Sequence, residues 1–109
     1  MPKYLMQAKY TAAGVRGLQK DGGVTRRAAV GEMVSSVGGR LEQFYFTMGN
    51  HDVIFIADLP DILVAKALSL VITSTGLASL EIISLLTAED TDLVLKQIIT
   101  YQAPGQASR

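Results

Sequence analysis

The chain of 109 residues has no cysteine. Disulfides, thiolate metal sites and cysteine nucleophiles are therefore excluded. It has one histidine, so a metal centre would lack the second imidazole or thiolate that such centres normally use. No apolar run approaches the roughly 18–20 residues that span a bilayer. The opening Met1, Pro2, Lys3, Tyr4 lacks the apolar stretch of a signal peptide. The expectation is a cytoplasmic protein with no membrane partner. There is also no excess of either charge: ten cations meet ten acids, which argues against a general nucleic-acid binder. Charged residues amount to only 18%, whereas apolar residues reach 49%. That apolar content is enough to offset the entropy of ordering a fold. So little charge on the outside hints that another subunit covers part of it.

The charges that are present are unevenly spread. Residues 1–40 hold seven cations against Asp21 and Glu32, and residues 41–109 hold three cations against eight acids. Either the two halves neutralise each other on folding, or a local basic site lies near the first helices.

Hydrophobic periodicity predicts the element order. Tyr4 to Tyr10 reads as a strand, with Tyr4, Met6 and Ala8 on one face and Leu5, Gln7 and Lys9 on the other. Thr11 caps a short helical stretch to Leu18. Asp21, Gly22 and Gly23 break the chain, and a helix follows over residues 24–37. Its apolar residues Val30, Met33, Val34 and Val37 share a face, and Gly38 and Gly39 end it. Residues 40–48 and 52–58 form strands joined by the tight turn Gly49, Asn50, His51. A helix starting near Pro60 or Asp61 buries Val64, Leu68, Val71 and Ile72 and stops at Gly76. Residues 77–86 form a fourth strand. Thr87 opens a last helix, close to a capping box, that runs to about Ile99. The fold class expected is α+β: a ferredoxin-like β-α-β-β-α-β sandwich with a C-terminal helix and a four-stranded antiparallel sheet. Its first and fourth strands would be neighbours at the centre. The domain spans residues 1–101, with a frayed tail over 102–109.

Two helices cover one face of such a sheet. The other carries Leu5, Gln7 and Lys9 beside Ser79, Glu81 and Ile83, so Lys9 and Glu81 are expected to pair across strands. A half-apolar face of this kind fits sheet-to-sheet dimerisation. The interior enclosed between two sheets suits a small ligand.

Several segments resemble the GYD-domain family. They are Lys3 to Met6 running on to Tyr10 and Thr11, Gly14 to Leu18, and Asp21 to Gly23 with Arg26 to Val30. Gly38 to Glu42 leading into Phe44, Tyr45 and Phe46 belongs with them, as do Gly49 to Val53 and Asp58 to Pro60. The resemblance covers nearly the whole chain. The family is named for a Gly-Tyr-Asp signature at the hairpin turn. Gly49 and Asp52 match it, and His51 stands where tyrosine is usual. The resemblance implies a fold of the dimeric α/β-barrel group, which hosts small monooxygenases, isomerases, haem enzymes and transcriptional effector modules. It brings no catalytic residues to carry over and selects no cofactor.

The candidate site residues follow from broken local rules. Arg26 and Arg27 lie in the first turns of a helix behind Gly22 and Gly23, where cations oppose the helix dipole. A bound carboxylate or phosphate would resolve the conflict, as would pairing with Asp21, Glu32 or acids of a second subunit. His51 beside Asp52 either does acid–base work or is a solvated turn residue. Tyr10 and Tyr45 either line a pocket or belong to the core. Two functions stay open. One is a homo-oligomer, dimer or ring of dimers, that binds a small ligand such as an organic anion. The other is a cofactor-independent oxygenase or isomerase using Lys9, Tyr10, Tyr45, His51 and Glu81 around one cavity. A protein that only self-assembles is a third.

Overall fold

A computed structural model describes residues 1–106. Its elements are β1 (Lys3–Tyr10), α1 (Ala12–Asp21), α2 (Gly23–Ser36), β2 (Arg40–Phe46), β3 (Val53–Asp58), α3 (Ile62–Ser74), β4 (Ala78–Leu85) and α4 (Ala88–Leu95). The four strands make one antiparallel sheet in the order β2-β3-β1-β4. This is the expected α+β, ferredoxin-like arrangement, with one correction. β4 is indeed β1's neighbour, but β1 and β3 hold the centre and β4 is an edge strand. Of the expected tail, residues 107–109 lie outside the described residues. No described helix is long and apolar enough to cross a membrane.

The alternation along β1 sets the layers. Tyr4, Met6 and Ala8 are buried with Val53, Phe55 and Ala57 of β3, against Val34 of α2 and Ala65 and Leu68 of α3. Leu5, Gln7 and Lys9 point the other way, opposite Ile83, Glu81 and Ser79. No helix of the described residues lies over this second face.

Local chemistry explains most helix boundaries. The Thr11 side chain accepts from Gly14 N, and Asp61 accepts from Val64 N, each relieving one of the unpaired amides at a helix start. α1 runs three residues past Leu18, to Asp21, because the chain turns only at Gly22. That residue has φ 84° and serves as both C-cap of α1 and N-cap of α2, a conformation glycine adopts without steric cost. α3 differs from expectation on one point. Ala65, Leu68 and Ser69 are its buried residues, while Val71 is 63% exposed. Ala65 and Ser69 face inward beside Leu68, while Ile62, Leu63, Leu70 and Val71 are turned outward. α4 also ends earlier than Ile99, at Leu95 with Lys96 as C-cap.

Candidate functional site

The predicted site residues do not form one site. They sort into three places, and the parity of β1 explains the first division. Tyr10 is an even-numbered residue and lies on the helix-covered side with Tyr4, Met6 and Ala8. Lys9 is on the open side.

On the covered side a cleft opens above the sheet between α2 and α3. Its outer part, about 270 Å³, is lined by Tyr10, Leu18, Asp21, Arg26, Ile72 and Leu77 among others. An inner pocket of about 90 Å³ shares Tyr10, Arg26, Ile72 and Ala78 and is floored by Ala8, Val53, Phe55 and Leu80. Arg26 is half-buried. Among the described residues its guanidinium makes no ion pair, although Asp21 lines the same cleft. The expected pairing with Asp21 or Glu32 within the chain is therefore not formed. Tyr10 is fixed from behind: its amide donates to Asp52 Oδ2 at 2.8 Å, and Asp52 N donates to the Ala8 carbonyl at 2.8 Å. Asp52, between β2 and β3, thus positions the strand end that carries Tyr10. That role was not legible in the sequence, because it depends on the hairpin folding beside the end of β1.

The rest of the basic helix start faces elsewhere. Gly23 and Arg27 line a groove of about 320 Å³ with Phe44, Tyr45 and Phe46 along the free edge of β2. Here a Cβ on Gly23 would lie 3.0 Å from the Phe46 ring, so a side chain there would press that ring aside. The rings of Phe44 and Phe46 meet edge to face at 5.4 Å. Tyr45 donates its hydroxyl to Gln43 Oε1 at 3.0 Å. Gly22 lines none of these pockets and serves as the elbow.

On the open side, Gln7, Lys9, Asn50, His51, Ser79 and Glu81 surround a polar recess of about 340 Å³. Glu81 meets His51, with Nε2 3.4 Å from Oε2. The expected Lys9–Glu81 pair is not made. Glu81 stands opposite Gln7 in the ladder, and Lys9 donates to the Asn50 carbonyl at 3.3 Å. The β2–β3 turn thus brings Asn50 and His51 to the open face; Gly49 in it has φ 140°, and Thr47 Oγ1 donates to the His51 carbonyl at 2.7 Å.

An ion cluster at the far end of the open face was not foreseen. Asp58 is buried at 7% exposure. It accepts from Lys3 Nζ at 2.8 Å and from Arg40 at 3.1 Å, and Lys3 also reaches Glu42 at 2.6 Å. The hydrogen bond from Lys3 holds the Asp58 carboxyl below its usual range, with Arg40 adding to the effect and burial opposing it. The hydrogen bond to Asp58 likewise raises Lys3, with Glu42 second. Two ladders meet here: Lys3 faces Asp58 in β3, and Asp58 faces Arg40 in β2. Among the described residues no group of three His, Asp or Glu side chains is placed to hold a metal ion.

A family profile described as the GYD domain matches residues 4–95. Comparison with curated proteins and with solved structures finds no match.

Proposed function

The chain belongs to the GYD-domain family, and from that premise we propose that it is a small-ligand-binding module taking an organic anion into the cleft between α2 and α3. The observation that carries this reading is Arg26: a half-buried cation with no carboxylate partner among the described residues, set beside an apolar floor. A desolvated, unpaired charge is costly. A carboxylate meeting the guanidinium through two hydrogen bonds would remove that cost with defined geometry. Tyr10 brings a second polar group to the same opening, and Phe55, Leu80 and Met33 suit an apolar body. The space lies at the small end of the roughly 300–1,000 Å³ typical of ligand pockets, so the ligand is metabolite-sized. The working form in this reading is a homo-oligomer, a dimer or a ring of dimers, closed through the open face of the sheet.

A thermal-shift and calorimetric series tests the proposal. Short aliphatic and aromatic carboxylates are compared with their neutral amides. At a hundredfold excess over Kd a ligand adds about 2.7 kcal/mol of stability, a rise of about 10 °C in Tm for a chain of this size. Carboxylates should stabilise and amides should not. Arg26→Met should weaken binding at least tenfold, and Arg27→Met should leave it unchanged. An indifferent panel, or an Arg26→Met protein that binds as well as the parent, refutes the proposal.

A second reading rests on the open-face recess, where Lys9, His51 and Glu81 converge. A second sheet laid over it would enclose an acid–base pair, as an oxygenase or isomerase would need. Tyr10 and Tyr45 lie outside that recess, so the five-residue catalytic set is not assembled in one protomer. Turnover that is unchanged in a His51→Ala, Lys9→Ala double variant rules this reading out.

A further inference from the structure

The cleft makes no use of the chain beyond β4. Only Leu86 and Thr87 separate β4 from α4, and Thr87 closes a complete capping box with Asp90, which fixes where the helix starts. No residue of α4 is buried. Leu93, Val94, Leu95, Ile98, Ile99 and Tyr101 are each more than half exposed. The radius of gyration is 18.1 Å, against about 13 Å for a compact fold of this length. The long axis measures 66 Å, with 29 and 24 Å across it. The segment is an apolar arm that projects from the body. An isolated helix under about 12–15 residues is marginal in water, so this one needs a surface to lie on.

The same chain carries a matching surface on α3. On α3, Ile62, Leu63, Leu70 and Val71 are more than half exposed. Lys66, the only charged residue of that helix, is also exposed. The arm brings Glu89, Asp90 and Asp92, which make no ion pair among the described residues. Three acids against one cation, Lys96, argue against an anionic lipid surface as the receiver, and the acids are complementary to Lys66. We propose that the arm of each copy packs on the outer face of α3 in a second copy, reciprocally. Arm and receiving face occur twice in such a closed exchange. Together they offer apolar area on the order of the 1,200–2,000 Å² that stable interfaces bury.

The absence of native cysteine makes the test clean. Leu93→Cys and Leu70→Cys are made in separate full-length chains, one with a size tag, mixed in equal amounts and treated with a short bis-maleimide. Cross-linked heterodimer should form only between the two different variants, and Leu70→Glu with Leu93→Glu should each lower the sedimentation mass by at least one assembly step. A Leu70→Cys, Leu93→Cys double variant that links within one chain overturns the proposal, because the arm then folds back on its own body. No heterodimer, with unchanged mass for the glutamate variants, overturns it as well. Anion binding measured on the glutamate variants separates this result from the fate of the cleft.

Discussion

Two glycines of α1 provide a matched experiment. Gly14 is buried, and a Cβ there would fall deep inside the Leu77 carbonyl oxygen, 3.0 Å from the carbonyl carbon and 3.1 Å from the Tyr10 ring. Gly17, three residues on, has nothing within 4 Å of its Cβ position. Helix propensity favours alanine over glycine by about 1 kcal/mol at either site. At Gly17 that gain should be realised, raising Tm by about 2–5 °C. At Gly14 it should be overwhelmed. The Leu77 carbonyl accepts from Thr11 N at 2.9 Å and Thr11 Oγ1 at 3.2 Å. Moving it aside weakens hydrogen bonds of about 1 kcal/mol each, on top of an overpacking cost of about 1–3 kcal/mol. Gly14→Ala should therefore be less stable than the parent by about 1–3 kcal/mol, and the two variants should differ by about 2–4 kcal/mol. Urea unfolding followed by circular dichroism, at one fixed protomer concentration, reads both. A Gly14→Ala protein as stable as the parent would show that α1 is not pressed against the α3–β4 turn.

The other predictions concern charge and positioning. Asp58 is depressed and Lys3 raised in the folded chain. The Asp58 contribution to stability is present above its unfolded pKa of about 3.9 and is lost as pH falls through the lower folded value. The Lys3 contribution is complete below about pH 10.4 and is lost as pH rises through the higher folded value. Unfolding midpoints measured from pH 2 to 7 should thus show an acid limb that flattens in Asp58→Asn. Asp52→Ala leaves the Tyr10 amide without its acceptor and should cost about 1–3 kcal/mol. The same variant should also weaken anion binding, as calorimetry would show, whereas Asp52→Asn keeps an acceptor and should recover most of both. Thr87→Ala should change the stability of dilute chain by no more than about 0.5 kcal/mol, because no residue of α4 is buried, and sedimentation should show weaker assembly.

Local patterns carried the sequence reading far. Alternation in β1 separated the core face from the open one, and the caps at Thr11, Asp61 and Thr87 sit where they were expected. What failed was set by tertiary placement. The rank of β4 as an edge strand is a property of sheet order, which no single segment encodes. The Lys9–Glu81 pairing failed by two residues of register, since Ser79 and not Glu81 faces Lys9. Val71 fell outside the buried stripe because α3 turns Ala65 and Ser69 to the sheet, and apolar periodicity cannot rank small residues over large ones. Arg26 and Arg27 stand in the opening two turns of α2, against the dipole rule. Neighbours on a helix point about 100° apart, however, so only Arg26 reaches the cleft. Lys3 and Asp58 carried no sequence signal at all, being distant in the chain and ordinary in type.

Gly22 joins α1 to α2 through a single residue. The elbow has no slack, and its length sets the rotation of everything after it. Adding or deleting one residue there would turn α2 about its axis by about 100°, swinging Arg26 out of the opening while leaving the sheet beneath intact. Length change at this joint would erase recognition first and architecture last.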